Sequence, residues 1–357
     1  MTNYLLAGGG TAGHVNPLLA LADLIRESEP DATITVLGTR EGLESRLVPA
    51  RGFELVTIER LPFPRRPNAA ALKFPARFAR AVRQTRELIR ERKIDVVVGF
   101  GGYAAAPAYR AGAKEGTPVV IHEANAKPGL ANKLGARATE FVGVTFPGTP
   151  IRHARVTGMP LRPEITGLDR AALKASAREH FGLDPEKRTL LVTGGSLGAR
   201  AINRGISGSA RELTEAGLQV LHIWGGLTEI EDPGVDGYQV LEYCDRMDLA
   251  LAACDLAVSR AGSTTVSELA GLGVPAVFVP YSHGNGEQRF NAASVVEAGG
   301  ALLVEDGELT PAWVRDTLIP LVTNDGKLAE MTERARGAGS LDGTERLRDL
   351  VHEAIRR

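Results

Sequence analysis

The sequence predicts an α/β protein built from two doubly wound parallel sheets, each in its own domain. Short β-branched and Leu-rich runs alternate with helical patterns, and this rhythm restarts after the Pro- and Gly-punctuated stretch 158–163. Alternation of this kind is typical of βαβ units, whose strands pair in parallel. The chain has 357 residues, which exceeds the size at which a single hydrophobic core stops growing. Two domains are therefore the expectation.

The predicted strands fall into two groups. The first half contains runs at residues 4–7, 33–37, 54–58, 95–98, 118–121 and 140–144. The second half contains runs at residues 189–192, 219–223, 238–241, 255–258 and 276–279. We therefore expect an N-terminal domain over residues 1–158 and a C-terminal domain over residues 159–340. Residues 341–357 follow as a polar amphipathic helix, which we expect to pack back on the N-terminal domain.

The composition is that of a globular protein, with 43% hydrophobic, 24% charged and 5% aromatic residues. A formal net charge of −1 argues against attraction of the whole molecule to nucleic acid. The cysteines, Cys244 and Cys254, cannot build a disulfide framework and match no common metal-ligand spacing. The chain start carries no signal-peptide pattern, and no run approaches the roughly 20 apolar residues of a transmembrane helix. We expect a cytoplasmic protein.

Glycine-rich turns follow several predicted strands directly, at residues 8–13, 99–102, 194–198 and 260–263. Open parallel sheets bind ligands at the carboxyl ends of their strands. Because both predicted domains carry such turns, we expect a ligand cleft between the domains.

The first turn matches a dinucleotide-binding pattern. Gly8, Gly10 and Gly13 satisfy G-x-G-x-x-G, which raises the alternative of a nicotinamide-dependent oxidoreductase. That fingerprint also needs an acidic residue near the end of the second strand to hold a ribose. Here the second strand ends in Gly38-Thr39-Arg40, so the oxidoreductase is disfavoured.

His14 follows the same turn. Asn16 is a good helix N-cap and Pro17 suits the first helical position, which would leave His14 exposed at the ligand-binding edge. The imidazole fits a general base. It equally fits a cap for backbone groups of the turn, and the residues alone leave both interpretations open.

The turn at 260–263 offers a site for an anion. Gly262, Ser263 and Thr264 are small and leave the first amides of the following helix open, which suits a nucleotide pyrophosphate. A similar opening lies at 196–200. The chain contains no Asp-x-Asp, the usual carboxylate pair for Mg²⁺, so we expect the protein itself to neutralise a leaving diphosphate, without metal or cofactor. Glu268 in that helix either binds two ribose hydroxyls or has a solvent-facing or dipole-favoured role.

Taken in order, these motifs resemble the signature segments of the MurG family of glycosyltransferases over essentially the whole chain. The matching segments are 8–17, 99–103, His122-Glu123-Ala124-Asn125 with 129–133, 194–200, 260–268 and 287–292. The resemblance implies a GT-B fold. It also implies an inverting, metal-independent hexosyltransferase that moves N-acetylglucosamine from UDP-N-acetylglucosamine to the 4-hydroxyl of the muramyl sugar of lipid I, a lipid-linked muramyl pyrophosphate acceptor, and so forms lipid II for peptidoglycan.

The resemblance also implies roles for individual residues. On the acceptor side His14 is the candidate base, and the candidate acceptor contacts are Thr11, Gly13, Tyr103, Asn125 and Arg162. In the C-terminal domain the candidate donor contacts are Ser196 and Ser263 at the diphosphate, Gly262 and Thr264 beside them, Arg260 as a cation, Glu268 at the ribose, Gln288 and Asn291 near the sugar, and Cys244 and Met247 beside the uracil.

The chain departs from the family pattern at three positions. Leu197, Met159 and Glu287 stand where the family often has Gln, Asn and Gln. The first two changes remove an amide near the expected cleft, and the third places a carboxylate near the donor sugar. They keep open an alternative function, a related glycosyltransferase of secondary metabolism that acts on another lipid-phosphate acceptor. A non-catalytic nucleotide-sugar sensor is disfavoured, since it would have no use for acceptor-side residues such as Asn125.

A strongly basic segment predicts contact with an anionic membrane. Its cations outnumber Glu87 and Glu91 by nine, and they are Arg60, Arg65, Arg66, Lys73, Arg77, Arg80, Arg83, Arg86, Arg90, Arg92 and Lys93. We expect interspersed apolar side chains to enter the headgroup boundary while the arginines meet lipid phosphates; these side chains are Leu61, Phe63, Leu72, Phe74 and Phe78. The protein would then lie peripherally on the cytoplasmic face of the cell membrane. The alternative is a solvated basic helix.

Overall fold

The computed structural model describes residues 1–64, 69–226, 230–281 and 286–357. Within these ranges the chain forms two compact units, one of residues 1–162 with 342–357 and one of residues 163–341. Each unit is built on one parallel sheet. The prediction of two doubly wound α/β units is confirmed.

The N-terminal unit contains a sheet with the strand order β3-β2-β1-β4-β5-β6-β7. Its strands are β1 (Asn3–Ala7), β2 (Thr33–Thr39), β3 (Glu54–Ile58), β4 (Val96–Gly99), β5 (Val119–Glu123), β6 (Phe141–Val144) and β7 (Ala154–Val156). The helices between them are α1 (Ala12–Ser28), α2 (Glu44–Ala50), α3 (Ala69–Glu91), α4 (Ala105–Glu115) and α5 (Leu130–Gly135). The strand order reverses between β1 and β4, which is the switch point where open α/β sheets bind ligands.

The C-terminal unit repeats this plan with the order β10-β9-β8-β11-β12-β13. Its strands are β8 (Thr189–Thr193), β9 (Gln219–Ile223), β10 (Tyr238–Leu241), β11 (Leu256–Ser259), β12 (Ala276–Phe278) and β13 (Ala301–Leu303). Its helices are α6 (Pro163–Thr166), α7 (Arg170–His180), α8 (Arg200–Ser207), α9 (Ala210–Glu215), α10 (Met247–Ala253), α11 (Ser263–Gly271), α12 (Glu287–Glu297), α13 (Pro311–Trp313), a π-helical turn (Val314–Leu318), α14 (Ile319–Thr323) and α15 (Asp325–Ala338). Its switch point lies between β8 and β11.

The C-terminal helix α16 (Gly343–Arg356) belongs to the N-terminal unit. Its Leu347 and Val351 are fully buried in the same core cluster as Leu21 of α1. Burial of one apolar face holds this helix, whose other face is polar, against the sheet. No helix within the described ranges is long and apolar enough to span a membrane.

The sequence pattern missed the strands β7 and β13. Each has three residues and lies at the edge of its sheet. All three residues of β7 are exposed, so no buried apolar run marks the strand in the sequence. Pairing with a neighbouring strand, which a short pattern does not reveal, defines such elements.

Candidate functional site

The glycine turns lie at the carboxyl ends of the central strands. In the N-terminal unit, turn 8–10 follows β1 and turn 100–102 follows β4, and these two strands are neighbours at the switch point. In the C-terminal unit, turn 194–198 follows β8 and turn 260–262 follows β11, again at the switch point. Both units therefore present their turns where sheets of this class bind ligands.

Helix α1 begins at Ala12 with Thr11 as its N-cap, and Pro17 lies inside it. The prediction that Asn16 caps this helix is wrong. The backbone amides of His14 and Val15 both donate to the Thr11 carbonyl oxygen, at 3.1 Å each, so the hydrogen-bond ladder starts before Asn16 is reached. His14 consequently lies in the first helical turn and is half-buried rather than exposed.

The contacts of His14 define its protonation. Nδ1 lies 3.1 Å from the carbonyl oxygen of Gly9 and 3.2 Å from Oγ1 of Thr11. A carbonyl oxygen only accepts hydrogen bonds, so we assign the proton to Nδ1, and Nε2 keeps its lone pair. Burial lowers the pKa of His14, and the charges of Glu123 and Glu44 offset this in part. A neutral imidazole with a free basic nitrogen is the state that a general base requires.

The turn after β4 approaches His14 closely. Gly101 has φ +87°, and a Cβ there would lie 3.2 Å from Nε2 of His14. Gly102 has φ +79°, and a Cβ there would overlap the carbonyl oxygen of Gly9. Only glycine fits these positions. Tyr103 follows, half-buried, with the guanidinium of Arg60 4.8 Å above its ring.

A buried carboxylate that the sequence did not single out lies beneath the first glycine turn. Glu44, the first residue of α2, is fully buried. Its Oε2 accepts from the Gly10 amide at 2.8 Å, and its Oε1 accepts from the amide and the hydroxyl of Thr39, both at 2.8 Å. The Gly10 amide is thereby occupied, and a negative charge lies where a dinucleotide site would hold pyrophosphate. This geometry argues against the oxidoreductase alternative.

The loop that carries Asn125 is held by a buried network. Glu123, at the end of β5, accepts from the amides of Asn125 and Gly129, both at 2.9 Å, and from Nδ2 of Asn132 at 2.8 Å. The Tyr109 hydroxyl donates to Oδ1 of Asn132 at 2.7 Å. Satisfied buried networks of this kind rigidify a site. The sequence motif included Glu123 and Asn132 without indicating that they fix the loop.

The acceptor-side candidates other than Arg162 follow β1, β4 and β5 at this edge of the N-terminal sheet. Thr11, Gly13 and His14 share the first turn of α1. The Tyr103 ring lies beside the glycine turn, since a Cβ at Gly10 would lie 3.9 Å from it. Arg162 is half-buried and is the last residue of the 1–162 part of the N-terminal unit.

Helix α11 opens the corresponding site in the C-terminal unit. Gly262 is its N-cap, without a side-chain cap, and Ser263 and Thr264 are its first residues. The first amides of a helix have no intrahelical partner and carry the positive end of the dipole. Asn291 lies fully buried beneath this turn, and its Nδ2 donates to the Ala261 carbonyl oxygen at 3.2 Å.

Arg260 is engaged within the unit. Its Nη1 donates to Oδ1 of Asp306 at 2.5 Å and to the Val279 carbonyl oxygen at 2.9 Å. The Arg260 side chain is 12% exposed. The charge of Arg260 is thus balanced by Asp306, and the guanidinium ties the turn after β11 to the loop after β12.

The remaining donor-side candidates differ in exposure. Glu268 is 8% exposed, so its solvent-facing alternative is wrong: α11 is packed on that side. Oε1 of Gln288 accepts from the Tyr281 amide at 2.9 Å. Met247 is half-buried at the start of α10, and burial raises the pKa of the buried thiol of Cys244. Ser196 is exposed at the tip of the turn after β8.

The three departures from the family pattern have different surroundings. Leu197 is 65% exposed beside Ser196. Met159 is buried, with its sulfur 3.9 Å from Oγ1 of Thr145, so it fills the core of the N-terminal unit. Glu287 begins α12, and its Oε2 is buried without a hydrogen-bond partner among the described residues.

Residues 69–91 of the basic segment form α3, and part of the charge of the segment is neutralised. Arg77 pairs with Glu59 at 2.7 Å, and Arg92 pairs with Glu54 at 2.6 Å. Glu115 pairs with two arginines, Arg86 at 2.5 Å and Arg90 at 2.6 Å. The expectation that only Glu87 and Glu91 oppose these cations is therefore wrong, because acids distant in sequence fold against the helix.

Three exposed cations of α3 make no ion pair within the described part of the chain, and they are Lys73, Arg80 and Arg83. Arg65 and Arg66 lie outside the described residues.

Most apolar side chains of this segment belong to the core. Leu61 is 2% exposed, and Phe74 and Phe78 pack against the core cluster of the N-terminal unit. The ring of Phe63 packs at a tilt against that of Phe74, with ring centroids 5.4 Å apart. The expectation that all of them enter a headgroup layer is wrong, since the sheet face needs their cover. The side chain of Leu72 is 84% exposed, so it remains accessible for contact with lipid.

Comparison with known proteins adds to this geometry. The model of the glycosyltransferase family 28 N-terminal domain matches residues 4–144, and the model of the family 28 C-terminal domain matches residues 189–347. A UDP-N-acetylglucosamine–N-acetylmuramyl-(pentapeptide) pyrophosphoryl-undecaprenol N-acetylglucosamine transferase of Leifsonia xyli subsp. xyli is 61% identical, covering 99% of each chain. A Streptomyces coelicolor protein of the same name is 49% identical, covering 99% of this chain and 98% of its own.

Solved structures agree with these matches. The crystal structure of Acinetobacter baumannii MurG is similar with a TM-score of 0.81 at 28% identity, covering 99% of this chain and 100% of its own. The calicheamicin glycosyltransferase CalG4 has a TM-score of 0.69 at 19% identity, covering 100% and 99%, which shows a shared fold alone. The expected GT-B fold is confirmed. The chain belongs to glycosyltransferase family 28 and, within it, to the MurG family.

Proposed function

We propose that this enzyme transfers N-acetylglucosamine from UDP-N-acetylglucosamine to the 4-hydroxyl of the muramyl sugar of lipid I and so forms lipid II. The transfer inverts the anomeric centre and uses no metal ion. The names of relatives 61% and 49% identical along nearly the whole chain support this reaction, and they argue against an acceptor of secondary metabolism. The observation in the structure that carries the proposal is His14, whose neutral imidazole presents a basic Nε2 at the switch point of the N-terminal sheet.

On the acceptor side, Nε2 of His14 removes the proton from the attacking hydroxyl while the new glycosidic bond forms. The Gly9 carbonyl holds the imidazole in the required tautomer. The negative charges of Glu123 and Glu44 favour the imidazolium that results. The residues proposed to hold the acceptor are Thr11, Gly13, Tyr103, Asn125 and Arg162.

On the donor side, the bond between the anomeric carbon and the diphosphate breaks, and negative charge accumulates on the departing UDP. The open amides of α11, with Gly262, Ser263 and Thr264, are suited to stabilise that charge. Ser196 is proposed to contact the same diphosphate, and Glu268 the ribose. Gln288 and Asn291 are assigned to the sugar and Cys244 and Met247 to the uracil. Arg260 is assigned to the donor as a cation, and it also supports this turn through Asp306 and the Val279 carbonyl oxygen.

The test combines a reaction assay with a histidine variant. Purified protein is incubated with radiolabelled UDP-N-acetylglucosamine and a panel of lipid-linked acceptors, and lipid I is the expected substrate. His14→Ala should lower kcat by about 10² to 10⁴, the range of general base catalysis, while calorimetry shows unchanged UDP binding. His153→Asn, at an exposed histidine of the same unit, is the matched control. Near-normal turnover of His14→Ala at saturating acceptor would place the base elsewhere.

We further propose that the enzyme docks peripherally on the anionic cytoplasmic face of the membrane through α3. The exposed Lys73, Arg80 and Arg83 carry this proposal together with the exposed Leu72. Cations are attracted to an anionic surface, whereas a single apolar side chain contributes little to insertion into the membrane. The docking is therefore mainly electrostatic. It would bring the N-terminal unit to an acceptor whose lipid tail stays in the bilayer.

A further inference from the structure

We propose that Glu44 is a positioning residue of the transfer reaction, which acts on His14 through a single peptide group. The inference rests on the proposed role of His14 as the base. Glu44 lies outside the sequence motifs that mark the site, and its carboxylate touches neither the imidazole nor any residue proposed to bind substrate.

The linking group is the peptide between Gly9 and Gly10. Its N–H, which belongs to Gly10, donates to Oε2 of Glu44 at 2.8 Å. Its carbonyl oxygen, which belongs to Gly9, accepts from Nδ1 of His14 at 3.1 Å. Because a peptide group is planar and rigid, fixing its N–H fixes the direction of its carbonyl.

This peptide needs to be held. Gly9 has φ +154° and Gly10 has φ +92°, so two consecutive glycines leave the peptide plane free to rotate. A rotation would turn the carbonyl away from Nδ1 and remove the contact that selects the tautomer. The carboxylate prevents this, and its negative charge polarises the peptide so that the Gly9 oxygen becomes a stronger acceptor.

Neighbouring residues enclose the Glu44 carboxylate tightly. A Cβ on Gly9, Gly38 or Gly42 would overlap the Glu44 side chain. The second carboxylate oxygen is held by the amide and the hydroxyl of Thr39 at 2.8 Å. Glu44 is therefore fixed on both oxygens, by groups from the ends of β1 and β2.

Other charged groups also face this region. Glu123 favours the His14 imidazolium together with Glu44. Arg60 lies on the exposed side, where Glu41 and Glu44 both interact with it electrostatically. Removing the Glu44 charge leaves these groups in place, so a change in the titration of His14 would report on Glu44 itself.

The test is Glu44→Gln, which keeps the size of the side chain, removes its charge and turns an amide donor toward one of its partners. We expect kcat to fall about 10- to 100-fold, as for a lost hydrogen bond to a charged group, with the donor KM unchanged. The acid limb of the rate profile should move to lower pH, because the imidazolium loses a favourable charge. Thr39→Val keeps the charge and should leave this limb in place.

A double variant separates this inference from the proposed function. If Glu44 acts through His14, Glu44→Gln should add little to the loss already seen in His14→Ala. Equal losses in both backgrounds, or wild-type turnover of Glu44→Gln at an unchanged melting temperature, would overturn the inference alone. An active His14→Ala would instead overturn the base itself and this inference with it. The ¹⁵N spectrum of the wild-type imidazole is a readout independent of variant folding: a proton on Nε2 would contradict the arrangement.

Discussion

Replacing the three unpaired cations of α3 should weaken binding to anionic membranes by about two orders of magnitude. Each Lys or Arg near such a surface contributes about 1 kcal/mol at low salt. Lys73, Arg80 and Arg83 are exposed and make no ion pair within the described ranges. Their substitution by glutamine therefore removes about 3 kcal/mol, or roughly 150-fold in the binding constant.

The paired arginines supply the control. An arginine whose charge is balanced by a carboxylate adds almost no net charge to the surface, so removing both partners should leave membrane binding unchanged. Arg77 and Glu59 form such a pair at 2.7 Å, and both side chains are at least one third exposed. An exposed ion pair contributes only about 0 to 1 kcal/mol to stability, so Arg77→Gln/Glu59→Gln should remain folded.

The assay is co-sedimentation with vesicles of defined anionic lipid content, over a range of salt concentrations. Wild type and the Arg77/Glu59 variant should bind alike, while Lys73→Gln/Arg80→Gln/Arg83→Gln should bind weakly. Wild-type binding should decline as salt screens the charges. Equal binding of all three proteins at low salt would refute the reasoning, and equal loss in both variants would refute the distinction between paired and unpaired cations.

Three further outcomes follow from the buried groups of the two units. Glu268→Ala should raise the donor KM about 10- to 150-fold with little change in kcat, because a ribose contact is similar in ground and transition states; unchanged donor affinity in calorimetry would remove Glu268 from the site. Tyr109→Phe deprives Asn132 of a buried donor at 2.7 Å. Denaturation should then show about 1 to 3 kcal/mol less stability, and kinetics should show a higher acceptor KM. A normal acceptor KM would mean that this network does not position the loop. Burial lowers the pKa of His122 and of His222 from 6.5 to about 4. Between these two pH values the unfolded chain therefore binds more protons than the folded chain. The unfolding free energy should fall by about 3 kcal/mol for each histidine as pH drops from about 6.5 to about 4. Urea titrations that show a flat profile in this window would contradict that assignment.

The strand pattern and the glycine turns were readable from the sequence because they are local. Buried strands need apolar β-branched residues, and tight turns at the switch points need glycine, as at Gly101 and Gly102. The start of α1 was not readable. Asn16 and Pro17 form a good local cap, yet the Thr11 carbonyl takes the amides of the first turn instead.

Long-range electrostatics was also beyond a sequence pattern. Glu44 meets Gly10 only because β1 and β2 end side by side, and no spacing between them indicates a bond. The same holds for α3, where Glu115 neutralises two arginines from the adjacent helix. A count of charges along one segment therefore overestimated the cations that are available to a membrane.

The two units use the same element, a glycine turn at a switch point, under opposite electrostatic conditions. In the N-terminal unit the Gly10 amide is taken by the buried Glu44, and a second carboxylate, Glu123, lies near His14. Negative surroundings favour a group that must accept a proton. In the C-terminal unit α11 has no acidic residue in its first turn and no side-chain cap, and Asp306 pairs with Arg260. Open amides favour a departing anion. The carboxylates around the first turn are thus consistent with the proton removal that we propose for the N-terminal unit, and the open amides of α11 with the charge stabilisation that we propose for the C-terminal unit.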